Sequence, residues 1–159
     1  MATRQELADT VRGFIQRADS VAARLSPADW EKTTNEQGWT VKQAYSHLAS
    51  LGASIPFFVN MATNPQPQGG VGASFDVDAW NAQQVAQRQS KSNEEILTEL
   101  RTGFESSLKF LDSVSDEVLA TEMTSAFSGQ RGTLAEILIG SFTGHHGVHL
   151  DDIERAMNS

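Results

Sequence analysis

Thr133-Leu134-Ala135-Glu136-Ile137-Leu138-Ile139-Gly140-Ser141-Phe142-Thr143-Gly144-His145-His146-Gly147-Val148-His149-Leu150-Asp151-Asp152-Ile153 holds a helix start, an apolar stripe and three of the chain's four histidines. Thr133 and Glu136 have the spacing of a capping box, in which hydroxyl and carboxylate satisfy backbone N–H groups that the first helical turn leaves free. Leu134, Leu138, Phe142 and, further on, Ile153 recur at helical spacing. At about 100° per residue the stripe centres close to His149, with Leu138 and Phe142 roughly 20° to either side. His145 falls about 40° to one side and His146 about 60° to the other. The stretch reads as an amphipathic helix whose buried face includes imidazoles.

The same grammar recurs three more times. Leu7, Val11, Phe14, Ala18, Val21 and Leu25 form one stripe behind Thr3/Glu6. Val41, Ala44, Leu48, Leu51, Ile55 and Phe58 form a second behind Thr40/Gln43. Ile96, Leu100, Phe104, Leu108 and Leu111 form a third behind Ser92/Glu95. One capping box is weak evidence, but four ahead of four stripes predict an all-α, single-domain four-helix bundle over 1–159. Its expected core includes Leu7, Phe14, Leu48, Leu51, Leu100, Phe104, Leu138 and Phe142. Ser26-Pro27 predicts an extra turn through Trp30, and 76–89 predicts a short extra helix carrying Trp80, Val85 and Ala86. Residues 122–127 can be briefly extended, and Gly129-Gln130-Arg131-Gly132 marks a turn. The Pro/Gly-rich loop 63–75 is long for a bundle connector and suits either a crossover or a flap over a site.

A chain of 159 residues is long enough to bury a real core. No apolar run approaches the roughly 20 residues that span a bilayer, and the N-terminus lacks the apolar core of a signal peptide, so a cytoplasmic protein is expected. The net charge is -8, with 12 Lys+Arg against 20 Asp+Glu. No basic stripe exists to neutralise phosphates, which argues against nucleic acid and anionic membranes as partners. The absence of cysteine excludes disulfides, a cysteine nucleophile and thiolate-ligated metal centres.

His145 and His149, four residues apart, share a helix face, and with a third imidazole from a neighbouring helix they can bind a divalent metal and leave one position open. His146 is the reserve ligand, because an i,i+3 pair also permits chelation. The fourth histidine, His47, sits at the edge of the second helix's apolar face. The plain alternative is a set of hydrogen-bonded core and boundary histidines, but clustered indoor imidazoles leave several polar nitrogens in need of partners. Asp152 lies on the side of His145 and His149 and can orient an imidazole from behind. Asp151, Asp152 and Glu154 can equally form the wet face of the helix. The pattern is not a zinc-protease H-E-x-x-H, since His146 stands where the glutamate belongs. No histidine follows a glutamate by three, which excludes the di-iron bundle pattern, and no G-x-S-x-G elbow occurs.

Gly38-Trp39-Thr40-Val41-Lys42-Gln43-Ala44-Tyr45-Ser46-His47-Leu48 resembles the opening of the second helix in the DinB/YfiT-like superfamily. Within it, the segment is most similar to the N-terminal domain of mycothiol-dependent maleylpyruvate isomerases. Asp78-Ala79-Trp80-Asn81 and Ser92-Asn93-Glu94-Glu95-Ile96 resemble the same subgroup, and His145-x-x-x-His149 resembles the superfamily's second metal motif. The resemblance runs over nearly the whole chain. It implies a four-helix bundle, often a homodimer, with a divalent metal such as zinc or nickel held by His47, His145 and His149. It also implies transfer or isomerisation with a low-molecular-weight thiol (mycothiol, bacillithiol or glutathione) and an electrophile. Trp80 and Asn81 are implied as walls of the substrate site, with Asn81 able to hydrogen-bond substrate. The subgroup often has a carboxylate where His145 stands, and its isomerases carry a second domain that contributes to catalysis. A metal-dependent hydrolase, or a non-catalytic bundle in which the metal is structural, are the alternative functions.

Overall fold

The computed structural model describes residues 1–35, 38–64 and 75–159. Four helical columns surround one apolar core, so the architecture is the expected all-α four-helix bundle. The columns are α1 (Arg4–Ala23), α2 (Val41–Ser50) continued by α3 (Ser54–Thr63), α5 (Asn93–Leu111), and α7 (Leu134–Ser141) continued by α8 (Gly147–Met157). A shorter helix, α4 (Val77–Gln87), packs against α2. A one-turn helix, α6 (Asp116–Leu119), precedes a two-stranded antiparallel hairpin, β1 (Glu122–Thr124) and β2 (Arg131–Thr133). None of the described helices is long and apolar enough to cross a membrane.

All four capping boxes form, with both reciprocal bonds present at Thr3/Glu6, Thr40/Gln43, Ser92/Glu95 and Thr133/Glu136. They start the helices where the stripes begin, and the stripes meet inside. Leu7, Leu48, Leu100, Phe104 and Leu138 are fully buried, and Phe14 and Phe142 nearly so. The rings of Phe14, Phe104 and Phe142 pack edge-on or tilted at centroid distances of 5.0–5.7 Å. Burying such side chains supplies most of the drive to associate.

Two long helices depart from the straight reading. The second stripe is broken between α2 and α3, and Leu51 at the break is half-buried. Close packing explains the site of the break. A Cβ on Gly52 would lie 2.9 Å from Gly103 Cα of α5, so the two backbones touch there. Ser107 of α5 donates its hydroxyl hydrogen bond to the Gly52 carbonyl. The fourth helix is interrupted by a π-helical segment, Phe142–His146, in which the Gly147 N–H reaches back five residues to the Phe142 carbonyl. Such segments shift the phase of a helix and recur at functional sites.

The extra turn forms as a 3₁₀ helix at Asp29–Glu31 and buries Trp30. The expected extra helix is α4, capped by Asp76. Of the 63–75 loop, residues 65–74 lie outside the described residues, and with them the choice between crossover and flap.

Candidate metal centre

α2 places His47 one turn before its end, with Ala44, Tyr45 and Leu48 of the same helix in the core. Tyr45 fixes α2 against α1 by donating to the Ala18 carbonyl at 2.9 Å. The π segment contributes His145 and α8 contributes His149. Arg17 of α1 holds α8 in place through Asp151 at 2.5 Å and Glu154 at 2.8 Å.

These elements bring His47, His145 and His149 together, so that one nitrogen from each lies within 4.8 Å of the others. The Nε2 atom of His145 is 3.5 Å from that of His47 and 3.2 Å from that of His149. Two nitrogens bound 2.0–2.1 Å from a tetrahedral ion lie roughly 3.3–3.4 Å apart, so these separations match the edges of a metal tetrahedron. The three ring planes stand at 68–85° to one another, so they meet edge to edge rather than stacking. Converging Nε2 atoms cannot all be satisfied by hydrogen bonds among themselves, because each neutral ring has one donor and one acceptor. A cation at their centre would accept a lone pair from each ring.

Burial keeps His47 and His149 uncharged. Burial, reinforced by His149, His145 and His146, pushes His47 down to about 3. Burial, with His145 close by, pushes His149 down to about 4. Both rings are therefore neutral at physiological pH, the form that ligates metal.

Trp39 lies over the triad. Its ring centroid is 5.0 Å from His47 and 6.1 Å from His149, stacked on the latter. Thr34 donates both its N–H, at 2.7 Å, and its hydroxyl, at 2.9 Å, to the Trp39 carbonyl, fixing the approach to α2. The outer nitrogens, Nδ1 of His47 and of His149, are buried with no hydrogen-bond partner among the described residues. Orientation of these rings therefore comes from packing on Trp39, in place of the hydrogen bonds that usually steer metal-ligating imidazoles.

A cavity of about 320 Å³ opens beside the triad, lined by Trp39, Val77, Asp78, Asn81, Val148 and the three histidines. Asn81 is thus brought to the site, whereas Trp80 is not in the lining and packs instead near Phe75 at 6.3 Å. His146 faces away from the triad into the core. It stacks on Phe142 at 4.5 Å, and its Nδ1 lies 2.9 Å from the Ser141 carbonyl, so it is not placed to act as the reserve ligand. Asp152 is buried and pairs with Arg155 three residues on, so the expected support of an imidazole is not observed. Trp39, Val77, Asp78 and Val148 were not singled out as site residues from the sequence. Trp39 and Asp78 sit inside the quoted motifs, which was the available signal. Val77 and Val148 carry no signal beyond being apolar.

Histidines of α2 and of the last helical column thus converge at one point of a four-helix bundle. The chain belongs to the mycothiol maleylpyruvate isomerase N-terminal domain family, whose model matches residues 11–154. Its fold is similar to that of YfiT from Bacillus subtilis, described as a probable metal-dependent hydrolase with an unusual four-helix bundle topology. That match has a TM-score of 0.72 at 16% identity and covers 98% of this chain and 86% of the other. It is also similar to the mycothiol-dependent maleylpyruvate isomerase, with a TM-score of 0.71 at 14% identity, over 95% of this chain and 60% of that one. A mutant of that isomerase matches with a TM-score of 0.70 at 13% identity, over 95% and 60% of the two chains. No curated protein matches the chain.

Proposed function

We propose that His47, His145 and His149 bind a divalent metal ion, zinc or nickel, and that the site serves a metal-dependent transfer or isomerisation with a low-molecular-weight thiol. Mycothiol, bacillithiol and glutathione are the candidate thiols. The observation that carries this reading is the convergence of three imidazoles beside an open cavity, with His145 Nε2 at tetrahedral-edge separations from both His47 and His149. A divalent ion held by these three imidazoles would keep one position free and, when bound, would supply Lewis acidity there, lowering the pKa of a thiol or polarising an electrophile's oxygen.

The chain's own residues do the rest. Neutral His47 and His149 present their lone pairs, Trp39 and Val148 form apolar walls, and Asn81 offers a donor and an acceptor to substrate. The chain has no cysteine, so the reacting sulfur comes with a cosubstrate. Membership of the mycothiol isomerase N-terminal domain family supports a thiol in that role. Hydrolysis is the second reading, favoured by the likeness to the bundle described as a probable hydrolase, because the same centre can activate water.

The test begins with elemental analysis of protein purified without a metal-chelating tag. One ion per chain is expected, and its absence on refolding with zinc or nickel removes both readings. Cobalt-substituted protein is then titrated with mycothiol, bacillithiol and glutathione. Changed visible bands with one of them are expected. Bands unmoved by every thiol at millimolar concentration would leave hydrolysis as the reading to pursue.

A further inference from the structure

Apart from the histidines, the cavity beside the triad has one ionisable wall residue among the described residues. Asp78 and Asn81 are three residues apart on α4, hence on one face of it, and both line the cavity. Asp78 is exposed at the rim. Asn81 is 8% exposed, and its side-chain amide has no hydrogen-bond partner among the described residues. That amide is not among the enclosed polar atoms that lack a partner, so it opens onto the cavity, where it can donate to and accept from a neutral polar group.

No lysine or arginine lines the cavity among the described residues. Segments 36–37 and 65–74 contain none in their sequence either. Cations on the framing elements are engaged elsewhere. Lys42 of α2 donates to the Gln89 carbonyl at 3.3 Å, Arg88 after α4 holds Glu99 at 2.5 Å, and Arg155 of α8 pairs with Asp152. The ion's own charge must be counted as well. A divalent cation on three neutral imidazoles would be balanced by one thiolate and the Asp78 carboxylate, and a further anion would find no counter-charge among the described wall residues.

Building on the thiol reading above, we propose that this site selects substrates by charge. The part of the substrate beyond the metal-bound atom is uncharged or cationic, its polar group is taken by Asn81, and Asp78 disfavours carboxylates at the rim. The dicarboxylate for which the isomerase neighbour is named falls in the disfavoured class.

Three thiols of similar length test this: cationic cysteamine, neutral 2-mercaptoethanol and anionic 3-mercaptopropionate. Each is titrated at low salt into cobalt-loaded wild type and Asp78→Asn, read by the visible bands. The same titrations on metal-free protein are read by the Trp39 indole NMR signal. Comparing each thiol with itself cancels any chelation by its tail. Asp78→Asn should strengthen mercaptopropionate about two- to fivefold, weaken cysteamine by a similar factor, and leave mercaptoethanol unchanged, the range expected for an exposed charge. The effect should fade with added salt. Opposite shifts for opposite charges are not produced by a folding defect. Equal changes for all three, or none, overturn the charge selection while leaving thiol binding intact. If no thiol moves the cobalt bands, the thiol reading fails. The indole signal then decides the charge selection alone, and a missing charge order there overturns it.

Discussion

His146 stacks on Phe142 and meets Phe14 at 5.3 Å, whereas its neighbour His145 stands exposed beside the cavity with His47 and His149. Substitution should therefore separate two effects. His47→Ala or His149→Ala removes a ligand, so metal affinity measured by isothermal titration calorimetry should fall by orders of magnitude. His146→Ala empties part of a buried aromatic cluster and should cost about 2–5 kcal/mol in denaturant unfolding, with metal affinity changed far less. The reverse ranking would show that the wrong histidines were chosen as ligands. The pH response of the metal-free protein follows from the same burial. Unfolded imidazoles take up protons near 6.5, whereas folded His47, His146 and His149 are held down to about 3 or 4. Between those values the unfolded chain binds more protons, so stability is full above 6.5 and declines as pH falls towards 4. Urea midpoints across that window should drop steadily, and a flat profile would contradict the buried neutral rings.

At the scale of elements, Gly52 and Gly103 let α5 touch the junction between α2 and α3. The atom that a new Cβ would meet at 2.9 Å is backbone, which cannot swing aside. Gly52→Ala should therefore destabilise by about 1–3 kcal/mol through overpacking, measured by thermal or urea unfolding. A neutral result would mean that the junction can relax. The contrast with the capping boxes shows what sequence can carry. A cap is built from residues three apart, so Thr133 and Glu136 announce a helix start without knowledge of the fold. The break at Gly52 is imposed by another helix, and the π segment by a shift in backbone hydrogen bonding. Neither leaves a mark in apolar periodicity. The site divides in the same way. Spacing placed His145 and His149 on one face, while His47 came from a family motif. The cavity walls on α4 emerge only when Asp76 starts that helix beside α2. The role of Trp39 depends on the pinning of its carbonyl by Thr34, a contact across a tight loop that periodicity does not describe.

For the whole molecule, the core and the proposed metal contribute to stability in distinguishable ways. Leu48 and Leu138 are fully buried on different columns, and truncating either to Ala should cost about 2–5 kcal/mol whether or not metal is present. The triad instead ties α2 to the last column, because His47 and His145 are 98 residues apart in sequence. An ion bound only by the folded chain adds stability by mass action, about 2.7 kcal/mol when its free concentration is 100 times the Kd. For a chain of this size each kcal/mol moves Tm by roughly 2–4 °C, so saturating zinc or nickel should raise Tm by about 5–10 °C. The rise should disappear in His149→Ala and persist in Leu138→Ala, on a lower baseline. A metal-dependent rise that survives loss of His149 would place the ion elsewhere on the acidic surface and remove the link between the two columns.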